Sequence, residues 1–146
     1  MSLFKKGMFM VLILFLLDRF LKDLILFAGG PFPPDAILSL ALSKNHNIAF
    51  SLPLGGTYLL FLIAIILVLL LVLAIHLYRN RRSEEAFFSV MIFLGAASNF
   101  YDRLKYGYVI DYIDLKYFTV FNISDCLIVL GAAGLGWMLI KGVDKP

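Results

Sequence analysis

From Thr57 to Tyr78 the chain reads TYLLFLIAIILVLLLVLAIHLY, with no ionisable side chain before His76. A helix of roughly 20 apolar residues is what crosses the hydrocarbon core of a bilayer. A run this long and this uniform therefore ties the rest of the chain to the same solvent. Of the 146 residues 62% are hydrophobic, above the roughly half that a soluble domain carries. The chain is expected to be an integral membrane protein with one domain over residues 1–146.

Three more stretches are long enough to span. The first runs from about Gly7 to Phe27 and carries Asp18, Arg19, Lys22 and Asp23 in its later half. The third begins near Glu85 and continues through AFFSVMIFLGAASNFY; the fourth covers about Val120 to Ile140. The N-terminal stretch lacks a small-residue cleavage site and continues into charged helix, so it is expected to be a mature span. The fold class that follows is an all-α membrane protein with four transmembrane helices.

Lysine and arginine near span ends set orientation. Lys5, Lys6, Arg79, Arg81, Arg82, Lys141 and Lys145 fall on one side; Lys44, Lys105, Lys116 and Arg103 fall on the other. Both termini are expected in the cytoplasm, with the connections of about residues 28–56 and 104–119 facing outward. In the first connection, LSLALS (Leu38 to Ser43) has the period of a strand, KNHN is turn-like and IAFSLP suits a return strand, which predicts a small outer β-hairpin. The second connection, KYGYVIDYIDLKYF, suits an interfacial helix or strand at headgroup level. The net charge of +3 is spread over span ends with no basic, aromatic-interleaved patch, so no nucleic-acid partner is expected. The lone Cys126 forms no internal disulfide.

Ionisable groups inside spans cost several kcal/mol unless paired. Asn99, Asp102 and Arg103 share one face at the outer end of the third span, and Asn122 and Asp125 share one face at the outer start of the fourth. Asp111 is tethered between them. Asp18 and Lys22, spaced i, i+4, lie in the outer half of the first span, and Asn45 lies in the outer turn. All converge on one membrane face. Most have structural explanations: an Asp18–Lys22 lock between helices, an Asp102–Arg103 helix-end pair, Asn99 and Asn122 as interhelical hydrogen-bonding groups, Asp114 as an exposed interfacial carboxylate. Asp111 and Asp125 resist such an account. His46 and His76 fall on opposite faces, so no metal site is expected on them, and no Ser–His or Cys–His arrangement is present; no cofactor is expected. Two neighbouring carboxyls that share a proton can deprotonate a water and polarise a scissile carbonyl. The residues alone also leave open a proton-coupled carrier using the same carboxylates, and an inactive relative serving as a membrane binding or assembly protein.

Five blocks occur in order along nearly the whole chain: DRFLK, NHNIAF, GAASNFYDR, VIDYI and FNISD. In these the chain resembles the lipoprotein signal peptidase (signal peptidase II) family. The resemblance implies that Asp111 and Asp125 form a catalytic aspartyl dyad and that Asp18, Lys22, Asn45, Asn99, Asp102, Arg103 and Asn122 support or line the site. It implies as substrates prolipoproteins whose cysteine carries diacylglycerol, cut just before that cysteine, with membrane lipids as surroundings. It implies the bacterial cytoplasmic membrane as location, with the site near the outer face. Three residues depart from the family pattern: Asn47 and Ser98 stand where it has Gly, and Ser124 where it has Ala. Asn47 tolerates positive φ, and Ser124 is expected to add a hydrogen bond to the dyad.

Overall fold

The computed structural model describes residues 3–28, 37–46 and 57–143. Four long helices and three short strands follow in the order α1 (Leu3–Ala28), β1 (Leu38–Asn45), α2 (Thr57–Arg79), α3 (Ser83–Tyr106), β2 (Val109–Leu115), β3 (Val120–Phe121) and α4 (Ile123–Val143). The structure is mostly helical, with the strands gathered at one end.

On α2 only Leu59, Leu67, Ala74 and Leu77 are buried. They form one narrow stripe, while Phe61, Leu62, Ile65, Leu69 and Val72 stay exposed. A helix that is apolar all round, with most of that surface outward, suits a hydrocarbon solvent. Two helical stretches, Thr57–Arg79 and Ile123–Lys141, are long and apolar enough to cross a membrane. α1 and α3 are as long but more polar, because they turn ionisable side chains inward: Asp18, Lys22 and Asp102 are fully buried.

α3 is central, packing against α1, α2 and α4. Its seam with α4 is close because glycines line it. A Cβ on Gly95 would lie 2.4 Å from the Ser124 carbonyl oxygen, and one on Gly131 would lie 2.9 Å from the Phe88 carbonyl oxygen. Beside this seam Val11, Met91 and Leu127 form a small apolar core, with Phe87, Phe88 and Ile123 packed against it. Gly107, at φ 80°, ends α3 in the left-handed conformation and donates its amide to the Arg103 carbonyl at 3.1 Å. The chain thereby turns directly into β2.

β1 forms as expected, and it pairs antiparallel with β2, with Leu38 opposite Leu115, Ser43 opposite Asp111 and Asn45 opposite Val109. β2 in turn pairs with β3. The sheet thus joins the two connections to each other. β2 presents Val109, Ile110 and Tyr112, all buried, and so offers β1 both a ladder and an apolar surface. The register shifts between Leu40 and Ser43, an irregularity that re-aims the end of the strand. Asn47 and the IAFSLP run lie outside the described residues. The fourth helix also begins later than expected: Val120 and Phe121 are strand, and Asn122 stops the ladder by capping α4.

Candidate active site

The start of α4 is held by four hydrogen bonds. The Asn122 side-chain oxygen accepts from the Asp125 amide at 2.8 Å, and the Asp125 Oδ2 accepts from the Asn122 amide at 3.2 Å. This reciprocal pair is a capping box with Asp in the third helical position. The two amides between them are also occupied. Ile123 N donates to the Tyr112 hydroxyl at 3.3 Å, and Ser124 N to Asp18 Oδ1 at 3.2 Å. The carboxylates of Asp18 and Asp125 therefore sit at a helix N-terminus, where the helix dipole favours negative charge.

Asn122 also reaches the other aspartate. Its Nδ2 donates to Asp111 Oδ1 at 2.6 Å, so one residue holds both candidate carboxyls, one by its side chain and one by its backbone. The remaining oxygens are covered too. Asn45 Nδ2 donates to Asp111 Oδ2 at 2.9 Å, and Asn99 Nδ2 to Asp125 Oδ1 at 2.8 Å. Asn99 is oriented from behind, because its side-chain oxygen accepts from Lys22 Nζ at 2.8 Å. Asp111 lies at an open cavity of about 330 Å³, lined also by Ser43, Lys44, Asn45, His46 and Thr119. Burial pushes Asp111 up to about 6, with the Asp125 charge adding to it, against the Asn45 and Asn122 amides that pull it down.

A second layer packs beneath. Lys22 Nζ lies 3.2 Å from Asp18 Oδ2 and 2.8 Å from Asp102 Oδ2. Asp102 Oδ2 also accepts from Ile110 N at 3.3 Å, which tethers β2 next to Asp111. The expected Asp18–Lys22 pair is present. The Asp102–Arg103 pair is not: Asp102 is held by Lys22 and by Arg19, whose Nη1 lies 2.5 Å from its Oδ1. Consecutive residues point about 100° apart on a helix, so Asp102 turns inward while half-buried Arg103 keeps its charge within electrostatic reach of Asp125, Asp111 and Asp102. Asp114 is half-buried rather than exposed, on β2, and none of the site's hydrogen bonds reaches it.

The charges nearly cancel. Arg19, Lys22 and Arg103 face Asp18, Asp102, Asp111 and Asp125; one proton on the last pair leaves the group neutral. A low-dielectric site strongly favours that state. Among the described residues no buried side-chain nitrogen or oxygen lacks a partner, as a buried network must have to be stable.

The structure thus brings all nine expected residues together: Asp18, Lys22, Asn45, Asn99, Asp102, Arg103, Asp111, Asn122 and Asp125. It adds Arg19, Tyr112 and Ser98, which were not assigned to the site. Arg19 lies within the DRFLK block three residues before Lys22, a spacing that puts both cations on one face. The Ser124 hydroxyl was expected to bond the dyad; instead it donates to Asp18 Oδ2 at 2.7 Å, as does the Ser98 hydroxyl. No group of three or more His, Cys, Asp or Glu among the described residues is arranged to hold a metal ion.

Comparison with known proteins agrees with these blocks. A family model described as signal peptidase (SPase) II matches residues 10–141. A lipoprotein signal peptidase of Halothermothrix orenii is 33% identical over 129 residues, 84% of this chain and 87% of the relative. One from Coxiella burnetii is 34% identical over 147 residues, 94% of this chain and 90% of the relative. Among solved structures, a bacterial membrane enzyme determined by the in meso method superposes with a TM-score of 0.79 at 21% identity, covering 98% of this chain and 92% of that one. A second such enzyme gives 0.75 at 22% identity, covering 99% and 97%. At these identities the superpositions speak for the fold, while the family match and the relatives speak for kinship: the chain belongs to the signal peptidase II family.

Proposed function

We propose that the chain is a membrane aspartyl endopeptidase, a single domain over residues 1–146, that removes the signal peptide of diacylglyceryl-modified prolipoproteins just before the lipidated cysteine. Asp111 and Asp125 are its dyad. The observation that carries this reading is the position of Asn122, which donates to both carboxyls while one of them borders an open cavity.

The chemistry follows from that arrangement. One carboxyl of the pair keeps the shared proton and polarises the scissile carbonyl. The other stays ionised and takes a proton from the attacking water, with Asp125 fixed at the start of α4 by Asn122 and Asn99. The resulting gem-diol collapses as the dyad returns a proton to the leaving amine, with no covalent intermediate. Asn45, Asn99 and Asn122 fix the carboxyl planes, and the Arg103 charge keeps the pair from holding two protons.

All four helices cross the bacterial cytoplasmic membrane in this reading, with both termini in the cytoplasm. The dyad sits where α3 ends and α4 begins, the end opposite the Arg79–Arg82 turn. A substrate held by its acyl chains presents its scissile bond at headgroup depth, and a site at the helix ends meets it there. A proton carrier would need its carboxylates to continue toward the other face, whereas α2 has no ionisable residue before His76.

The test is cleavage of a lipidated precursor by the purified chain in vesicles. Wild type is expected to cut before the modified cysteine. Asp111→Asn and Asp125→Asn should each lose activity by at least about a thousandfold, and together little more, since they act as one unit. Asp114→Asn should stay within about threefold of wild type. Substantial cleavage by either dyad variant would sink the mechanism.

A further inference from the structure

Asp18 touches neither candidate catalytic carboxyl, yet it is the most heavily bonded acid among the described residues. Fully buried on α1, it accepts from the Ser98 and Ser124 hydroxyls at 2.7 Å each, the Tyr112 hydroxyl at 3.0 Å and the Ser124 amide at 3.2 Å, and it pairs with Lys22 at 3.2 Å. Two of these partners are chain neighbours of the dyad: Tyr112 follows Asp111, and Ser124 precedes Asp125.

That adjacency has mechanical consequences. Successive residues of a strand face opposite sides. Holding the Tyr112 phenol on one side of β2 therefore fixes the direction in which Asp111 projects from the other. Holding the amide and hydroxyl of Ser124 fixes the first turn of α4, where Asp125 comes next. Asp18 bridges β2 and α4 at the residues beside the two reacting groups.

Asp18 can do this only if its own carboxylate is held in one orientation, and Lys22 alone does not supply that. The lysine is shared with Asp102 at 2.8 Å and Asn99 at 2.8 Å, both closer than Asp18. The two serine hydroxyls make the shortest bonds to Asp18, both to Oδ2, leaving Oδ1 for Tyr112 and the Ser124 amide. Hydrogen bonds to an ionised acceptor are strong and directional.

We propose that Ser98 and Ser124 are positioning residues: by holding Asp18 Oδ2 they turn Oδ1 toward Tyr112 and the Ser124 amide, and so set the relative placement of Asp111 and Asp125. This rests on the assignment of those two aspartates as the dyad. Neither serine is exposed to substrate, Ser98 being 1% and Ser124 0% accessible, so their effect falls on the chemical step rather than on binding.

The experiment measures kcat, KM and melting temperature for wild type, Ser98→Ala, Ser124→Ala, the double variant, Tyr112→Phe and the triple variant. The full chain in vesicles is used, with a lipidated precursor peptide. Alanine is well tolerated in helices, and each single serine variant is expected to lose about threefold in kcat and the double about tenfold or more, with KM within about twofold. Tyr112→Phe should lower kcat similarly, and the triple variant should lose no more than about the larger parent, because all act through Asp18. A double variant that fails to insert leaves the single variants to decide. Unchanged kcat in the serine variants overturns the assignment, as does a loss carried by KM, or a kcat loss that merely tracks melting temperature. A wild-type chain that does not cleave overturns the proposed function and this assignment with it; a wild type that cleaves beside serine variants of equal kcat overturns only this one.

Discussion

Asp111 is buried at a cost to the fold, and the cost has a defined pH window. Its carboxyl is pushed from 3.8 up to about 6, chiefly by burial. Below the unfolded value both states are protonated and nothing is lost. As pH rises from about 4 to about 6 the unfolded chain ionises first, so the native state loses stability, and above about 6 the loss is complete. Asp111→Asn removes that loss but sets a donor against the Asn45 or Asn122 amide where a carboxylate oxygen had accepted, which costs about 1–1.5 kcal/mol. Since each pKa unit corresponds to about 1.4 kcal/mol, the variant should be more stable than wild type by about 1.5–2 kcal/mol near neutrality. Near pH 4 it should be equal or weaker. Thermal unfolding in micelles at both pH values checks the sign, and a variant less stable at both would contradict the role of burial at this residue. Much at this scale was legible in the sequence, because spacings of three and four put Asn99 with Asp102, and Asn122 with Asp125, on single faces. What was not legible were contacts between helices. Arg103 is the cation beside Asp102 in the sequence, and only packing brings Arg19, from another helix, to that carboxylate. Likewise nothing in the sequence says that Ser124, one residue from Asp125, turns its hydroxyl to α1.

At the scale of elements, the α3–α4 seam carries the site. Gly95 sits four residues before Asn99, and its missing side chain lets the Ser124 carbonyl approach. Alanine there would place a Cβ 2.4 Å from that oxygen, which backbone cannot relieve without moving the start of α4. Gly95→Ala should cost about 1–3 kcal/mol and lower cleavage by about tenfold or more, since displacing Asp125 by even part of an ångström degrades the geometry. Gly136, also on α4, is the internal comparison: a Cβ there meets nothing within 4 Å, and Gly136→Ala should be neutral or stabilising by up to about 1 kcal/mol. Activity and melting temperature of the two variants separate close approach from general helix propensity; equal effects would remove the seam from the explanation. The helices were readable as long apolar runs because that signal is local. Strand pairing is not local. The alternation in LSLALS announces β1, but its partner β2 lies some seventy residues on, where no local signal names it. The extent of α4 failed for a related reason: apolar Val120 and Phe121 serve a strand as readily as a helix, and the capping by Asn122 decides between them.

For the whole molecule, the distribution of charge along the helix axes implies an orientation. The α2–α3 turn carries Arg79, Arg81 and Arg82, and the last turn of α4 carries Lys141. At the other end lie the sheet, the buried network and an open cavity. Lysine and arginine near span ends are retained on the cytoplasmic side, so under the proposed function the dyad end is expected to face outward, where a lipid-tethered precursor would arrive. Two-sided labelling tests this. In a Cys126→Ser background, single cysteines at Arg81 and at Lys116 report the two ends, since both native side chains are exposed and neither belongs to the catalytic network. A membrane-impermeant maleimide applied to intact cells should label the position of Lys116 and leave that of Arg81 untouched until the cells are opened. The mutual consistency of charge and site is what gives the result its force. Were Arg81 labelled from outside, the dyad would open to the cytoplasm, before its substrate could present the modified cysteine at the outer surface. The peptidase reading would then have to be abandoned even with every hydrogen bond of the site in place.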